Sequence, residues 1–254
     1  NRGLTVAAAL ARELDLSLPD APWHTQRDRM AEVATVLGLL TGTLGKIARD
    51  IALHSQTDVG ELAEPVAQGR GGSSTMPHKR NPVGCAAALT AALRVPALVS
   101  TMLSGMVQEH ERALGGWQAE WDTLPEIVSL CGGALVQLGQ VVSSLSVDAA
   151  RMRANIDSTG GLVMAEAVAM ALAEHIGRPA AHLILEQACA HAVANQQALL
   201  SVLTADTRVT AQLTVAEIEQ LFQPLVYTGE ALAFVDRVLA AHGHRKAGFP
   251  HSEE

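Results

Sequence analysis

From about Gln26 to Thr57 the chain repeats apolar side chains every three or four residues: Met30, Val33, Val36 and Leu37, Leu40, Leu44, Ile47 and Ile51. That spacing is one stripe of an α-helix far longer than the usual three turns. A long helix with one apolar stripe needs other long helices to bury it, so this stretch alone points to a bundle. Gly38, Gly42 and Gly45 lie along it. Glycine costs helix propensity, so their recurrence predicts close approach of a neighbouring helix.

The rest of the chain reads the same way. Residues 4–14 predict a short helix, ended by Leu18-Pro19-Asp20-Ala21-Pro22. Further helices are expected over 82–109, with a kink near Pro96, and from 116 or 117 to 145, with Pro125 early in it. Ser146 reads as the N-cap of a helix over 147–155. Leu162–Ile176 should end at Gly177, and Pro179 should open a helix running to about Leu203. Thr214 and Glu217 form a capping box before Ile218, Leu221 and Phe222, and residues 228–241 predict a last helix with a loose polar tail from His242. No segment alternates convincingly with period two. The fold class is all-α: a long-helix bundle over 1–146, then a smaller helical domain over 147–254.

Composition supports this. Hydrophobic residues are 48% and charged residues 17% of 254, but aromatics only 3%, so the core is built from Ala and Leu rather than sheet-forming side chains. A net charge of −8 argues against a nucleic-acid partner. Every apolar run is broken by a polar residue before membrane-spanning length, so no membrane is expected. Cys85, Cys131 and Cys189 are widely spaced and read as reduced core thiols of a cytoplasmic protein. His182, Glu186, Cys189 and His191 share a helix but lack the spacing of a closed metal site; no metal is expected.

Periodicity vanishes over 58–82. Gly69, Gly71 and Gly72 precede Ser73 and Ser74, and His78, Lys79, Arg80 and Asn81 follow. Glycines offer a hinge, hydroxyls a proton carrier, and cations and a helix N-terminus a home for negative charge on oxygen. From the residues alone, a solvated Gly/Ser connector before an ordinary helix is an equal reading. Asn81-Pro82 reads as N-cap and first helical residue.

The run Gly72-Ser73-Ser74-Thr75-Met76-Pro77-His78-Lys79-Arg80-Asn81-Pro82 resembles the GSSxMPxKxNP signature of the fumarase/aspartase superfamily. That resemblance implies a homotetramer around a central helical bundle, with active sites shared between subunits, and chemistry at a bond β to a carboxylate through an aci-carboxylate carbanion. It makes Ser73 the catalytic acid/base. Lys79 and Asn81, with Ser74, Thr75 and Met76, become substrate-binding residues. No cofactor is expected, because the substrate's own carboxylate delocalises the charge.

Two other segments narrow the resemblance. Trp23-His24-Thr25-Gln26-Arg27-Asp28-Arg29, and Gln108-Glu109-His110-Glu111-Arg112 with Gly115-Gly116-Trp117-Gln118-Ala119-Glu120-Trp121, look like the carboxymuconate-cycloisomerase branch. Adenylosuccinate lyases share the loop and the Gln-Arg-Asp-Arg run. Where they carry a serine and an arginine for a nucleotide, this chain has Trp117 and Trp121, and where they carry a substrate glutamine it has Trp23. A tryptophan cannot replace the bidentate charged donor that phosphate needs. The resemblance therefore implies a small polycarboxylate substrate, with Trp23, His24, Arg27, Trp117 and Trp121 around it. Taken alone, each tryptophan reads better as core packing, and only the three together make a site an equal reading; Arg27 taken alone reads as the partner of a helix-surface carboxylate. A sulfomuconate-type cycloisomerase, an adenylosuccinate-type lyase or an inactive structural homologue are the alternatives. Family members carry a further N-terminal segment that supplies site residues, so this stretch by itself is expected to be inactive without it.

Overall fold

The computed structural model describes residues 2–65 and 80–248. Among them the chain is helical apart from one two-residue strand pair, and it separates into compact units Asn1–Arg151 and Met152–Glu254.

The first unit is built on α2 (Asp28–His54), α3 (Val83–Ser104) and α4 (Gly116–Ser143), preceded by the exposed α1 (Gly3–Glu13). The three long helices bury two small-residue cores. Leu44, Ala48, Ile51, Cys85, Ala88, Ala91, Ala134, Leu138 and Val141 make one; Ala34, Val95, Met102 and Ile127 make the other. Alanine and glycine set the spacing. A Cβ on Gly45 would lie 2.5 Å from the Cβ of Ala92, and one on Gly38 would lie 3.0 Å from Val99 Cγ2, so α2 meets α3 at these two positions. Gly42 faces open space instead.

Three expectations for this unit change. The helix after Pro82 stops at Ser104, not near Glu109, and is followed by a loop in which His110 and Ala113 take left-handed backbone angles (φ 50° and 43°). Ser146 caps no helix. It lies in β2 (Ser146–Val147), antiparallel to β1 (Leu62–Ala63), and Asp148 caps α5 (Ala149–Asp157) by accepting from the Arg151 N–H at 2.9 Å. A two-residue ladder is too short to show period-two alternation. Finally, α2, α3 and α4 are each long and apolar enough to cross a membrane by length and composition. Their scattered polar residues leave apolar stretches long enough because alanine, glycine and leucine fill the rest.

The second unit packs α6 (Ala165–Ile176), α7 (Arg178–Ala194), α8 (Leu199–Ala205), α9 (Thr207–Thr210) and α10 (Val215–Leu221) around Val168, Leu172, Leu185, Leu199, Leu203, Val209 and Ile218. A short 3₁₀ turn, Leu162–Met164, leads into α6. The helix opened by Pro179 does not run to Leu203. It ends at Ala194, where the Gln196 and Gln197 N–H groups bond back to Val193 and Ala192 carbonyls and Gln196 takes φ 51°. That is a left-handed helix stop made without its usual glycine. The last helix, α11 (Ala231–Gly248), continues into the segment expected to be loose, as far as Gly248. Cys85 and Cys131 are buried and Cys189 partly so, and all three are free thiols.

Candidate active site

The starts of α2 and α4 lie side by side, joined by one ion pair. Arg27, the residue preceding α2, sends its Nε to Glu120 Oε1 at 2.9 Å and Oε2 at 3.2 Å, and a terminal nitrogen to the same Oε2. Its other terminal nitrogen reaches the His24 carbonyl at 3.3 Å. The two side chains are only 10% and 6% exposed. The hydrogen bonds that Arg27 donates to Glu120 hold its pKa above the usual value, against the opposing cost of burial. A two-pronged guanidinium–carboxylate contact fixes orientation as well as distance.

The pair bolts aromatic segments together. The His24 ring stands edge-on to Trp117, centroids 4.8 Å apart, and Trp117 stands edge-on to Trp121 at 5.2 Å. Trp23 is engaged from its own side by the Arg29 guanidinium, 5.2 Å from the ring centre. None of the three tryptophans is fully buried, and Trp121 is 57% exposed. Two polar atoms beside this wall, His24 Nε2 and Gln108 Oε1, are buried with no hydrogen-bond partner among the described residues. Such atoms normally find a partner in a ligand or water. Gln108 anchors itself through Nε2 to the Gly105 carbonyl at 2.9 Å, and Thr25 donates to the His110 carbonyl at 2.8 Å, tying the 105–115 loop to the same wall.

The structure therefore gathers His24, Arg27, Trp117 and Trp121, with Trp23 in the adjoining turn. Ser73, Ser74, Thr75, Met76 and Lys79 lie outside the described residues. Asn81 is described and partly buried, and its role as helix cap is corrected. α3 begins at Val83, whose N–H bonds to the Asn81 carbonyl at 2.9 Å, and the Asn81 side chain makes no cap bond. The anion at this helix N-terminus is Glu64: its oxygens accept from the N–H groups of Gly84 at 2.9 Å and Cys85 at 2.8 Å. A carboxylate already satisfies the donors that the sequence offered to a substrate. The Cys85 thiol beneath it is pushed up to about 12 by burial and by Glu64, so it carries no thiolate near neutral pH.

Glu64 and Glu120 were the residues that sequence reasoning passed over. Glu120 is one acid between two tryptophans, 93 positions from Arg27, and no local rule links residues so far apart.

A family profile described as Lyase matches residues 3–97, and one described as Adenylosuccinate lyase C-terminus matches residues 161–238. A 3-carboxy-cis,cis-muconate cycloisomerase of Pseudomonas aeruginosa is 54% identical over 98% of this chain and 54% of its own length. The chain belongs to the fumarase/aspartase superfamily. Within that superfamily, the Acinetobacter baylyi 3-carboxy-cis,cis-muconate cycloisomerase is 48% identical over 94% of the chain and 53% of its own length. The crystal structure of the 3-carboxy-cis,cis-muconate lactonizing enzyme from Pseudomonas putida superposes with a TM-score of 0.90 at 53% identity, covering 96% of this chain and 54% of that one. The chain thus spans about half the length of the curated superfamily members it matches.

Proposed function

We propose that the protein containing this chain is a cycloisomerase that closes 3-carboxy-cis,cis-muconate to a carboxymuconolactone in bacterial aromatic breakdown. The observation that carries this reading is the wall of His24, Trp117 and Trp121 locked by Arg27–Glu120, in a chain half-identical to enzymes bearing that name. Arg27, the guanidinium buried in this wall, is committed to Glu120. The wall thus presents ring faces, not a bidentate donor for a nucleotide phosphate. That disfavours an adenylosuccinate-type substrate despite the C-terminal family match.

In the proposed reaction one substrate carboxylate forms a C–O bond to an alkene carbon. The electron pair moves onto the neighbouring carbon, α to another carboxylate, as an aci-carboxylate. Ser73 delivers a proton to that carbon and regains one from solvent. Lys79 and Asn81 stabilise the charge, with Ser74, Thr75 and Met76 around the substrate. The delocalising group is the substrate's own carboxylate, so the reading requires no cofactor. The remaining site residues come from the rest of the same protein and from neighbouring subunits. The test is ultraviolet: the whole protein should consume the conjugated diene of 3-carboxymuconate and leave adenylosuccinate largely untouched. No loss of diene would end this reading.

We also propose a cytoplasmic homotetramer. Val36, Leu39, Leu93, Leu135 and Val136 are exposed along α2–α4, and Gly132, Gly133 and Gly139 face open space where another helix backbone fits closely. Lipid is a poor occupant for these faces. Arg94 and Glu126, paired across α3 and α4 at mid-helix, would place two charges in hydrocarbon. Free thiols suit a reducing compartment. Light scattering on the purified protein should give four times the chain mass; a monomer would overturn the assembly.

A further inference from the structure

Glu64 and Arg80 lie on either side of residues 66–79 in sequence, and one carboxylate ties the upstream side to the start of α3. Glu64 Oε2 accepts from the Gly84 N–H at 2.9 Å and Oε1 from the Cys85 N–H at 2.8 Å. This is not a local cap, since Glu64 comes from twenty positions upstream, on the far side of the segment that carries Ser73 in sequence. Its own position is held from several directions. Leu62–Ala63 pairs with Ser146–Val147, and the Glu61 carbonyl accepts from Asp148 N–H at 2.9 Å. The Arg151 guanidinium donates to the Val59 and Asp58 carbonyls at 2.9 and 2.7 Å. On the receiving side, Gly84 makes the contact possible: a Cβ there would lie 2.5 Å from Val141 Cγ2 and 3.3 Å from Glu64 Oε2. The carboxylate sits flush against two N–H groups of the first helical turn, where the helix dipole favours a negative charge.

We infer that Glu64 is a positioning residue: by bonding to Gly84 and Cys85 it fixes the stem from which the segment bearing Ser73 departs and to which it returns. The inference rests on the acid/base role of Ser73 proposed above, and it adds a residue to which no role in the reaction had been given. A carboxylate accepts at both oxygens. A glutamine accepts at one and turns an amide N–H toward a backbone donor at the other, so Glu64→Gln keeps the shape and breaks half the staple.

The test compares wild type, Glu64→Gln and Glu64→Ala in the whole protein, below the melting temperature of each. Hydrogen exchange at the Gly84 and Cys85 amides should speed up in both variants. On 3-carboxymuconate, kcat should fall by about 100-fold, the scale expected when a catalytic group is displaced by roughly 1 Å, with KM unchanged. Unchanged exchange would overturn the staple. Faster exchange with full kcat, or a lower melting temperature with full kcat, would make Glu64 a helix cap and nothing more. A raised KM at full kcat would make it a binding residue instead. If wild type itself spares the diene, the substrate reading fails and the exchange arm alone decides whether Glu64 fixes the stem.

Discussion

The Ser73→Ala variant is expected to lose about 10²–10⁴-fold in turnover of 3-carboxymuconate while its melting temperature and helix content stay at wild-type values, because the lost hydroxyl is the proposed proton carrier. The argument joins two links. In sequence, Ser73 is the first serine of the signature run Gly72–Pro82, which ends immediately before α3 begins at Val83. Chemically, closing the lactone leaves electron density on a carbon that must receive a proton, and a poised hydroxyl is the donor that this run supplies. Ser74 is the internal control. If Ser74→Ala loses turnover and Ser73→Ala does not, the role moves one residue along; if both retain it, the proton comes from elsewhere and the mechanism falls. A loss confined to KM would reassign Ser73 to binding. Steady-state kinetics beside circular dichroism separates these outcomes.

The fold was legible where a local rule has a local signature. The stripe from Met30 to Ile51 marks α2 because three- and four-residue spacing is what one helix face requires, and the bounds come out at Asp28 and His54. The capping box is legible for the same reason: Thr214 and Glu217 are three apart, and in the structure Thr214 N–H reaches Glu217 at 2.7 Å while Glu217 N–H reaches Thr214 Oγ1 at 3.3 Å. The stop at Ala194 was not legible, because Gln196 adopts a glycine's backbone angle with a side chain that gives no sign of it. Asp148 displaced Ser146 as a cap because pairing with Leu62–Ala63 had already claimed the serine's backbone. At the site, His24, Arg27, Trp117 and Trp121 were legible as a group only through the family pattern. What physically joins them, Glu120, was not. Nor was Glu64, which takes the helix N-terminus that Asn81 had been assigned. Both are acids acting across long sequence gaps, and a one-dimensional pattern carries no record of which distant backbone or guanidinium folds against a carboxylate.

Breaking the Arg27–Glu120 pair from one side should strongly destabilise the first unit. Glu120→Ala leaves a guanidinium almost out of water with no counter-charge, and Arg27→Met leaves a carboxylate in the same state. Each should cost about 3 kcal/mol, the lower end for buried pairs because a tenth of Arg27 stays exposed. For a unit of this size that is a drop of roughly 6–12 °C in melting temperature. The double variant Arg27→Met with Glu120→Leu removes both charges and fills the space with apolar atoms. Buried pairs replaced in this way are often neutral, so the double variant should recover most of the lost stability. Catalysis then separates two roles that stability cannot. If Arg27 only holds the His24 carbonyl and the aromatic wall in place, the double variant regains KM along with its melting temperature. If Arg27 also releases Glu120 to take a substrate carboxylate, the double variant melts like wild type but keeps a raised KM, because no methionine can donate a hydrogen bond to a carboxylate. The geometry favours the first outcome: all three of the hydrogen-bonding nitrogens on Arg27 are already engaged, two by Glu120 and one by His24.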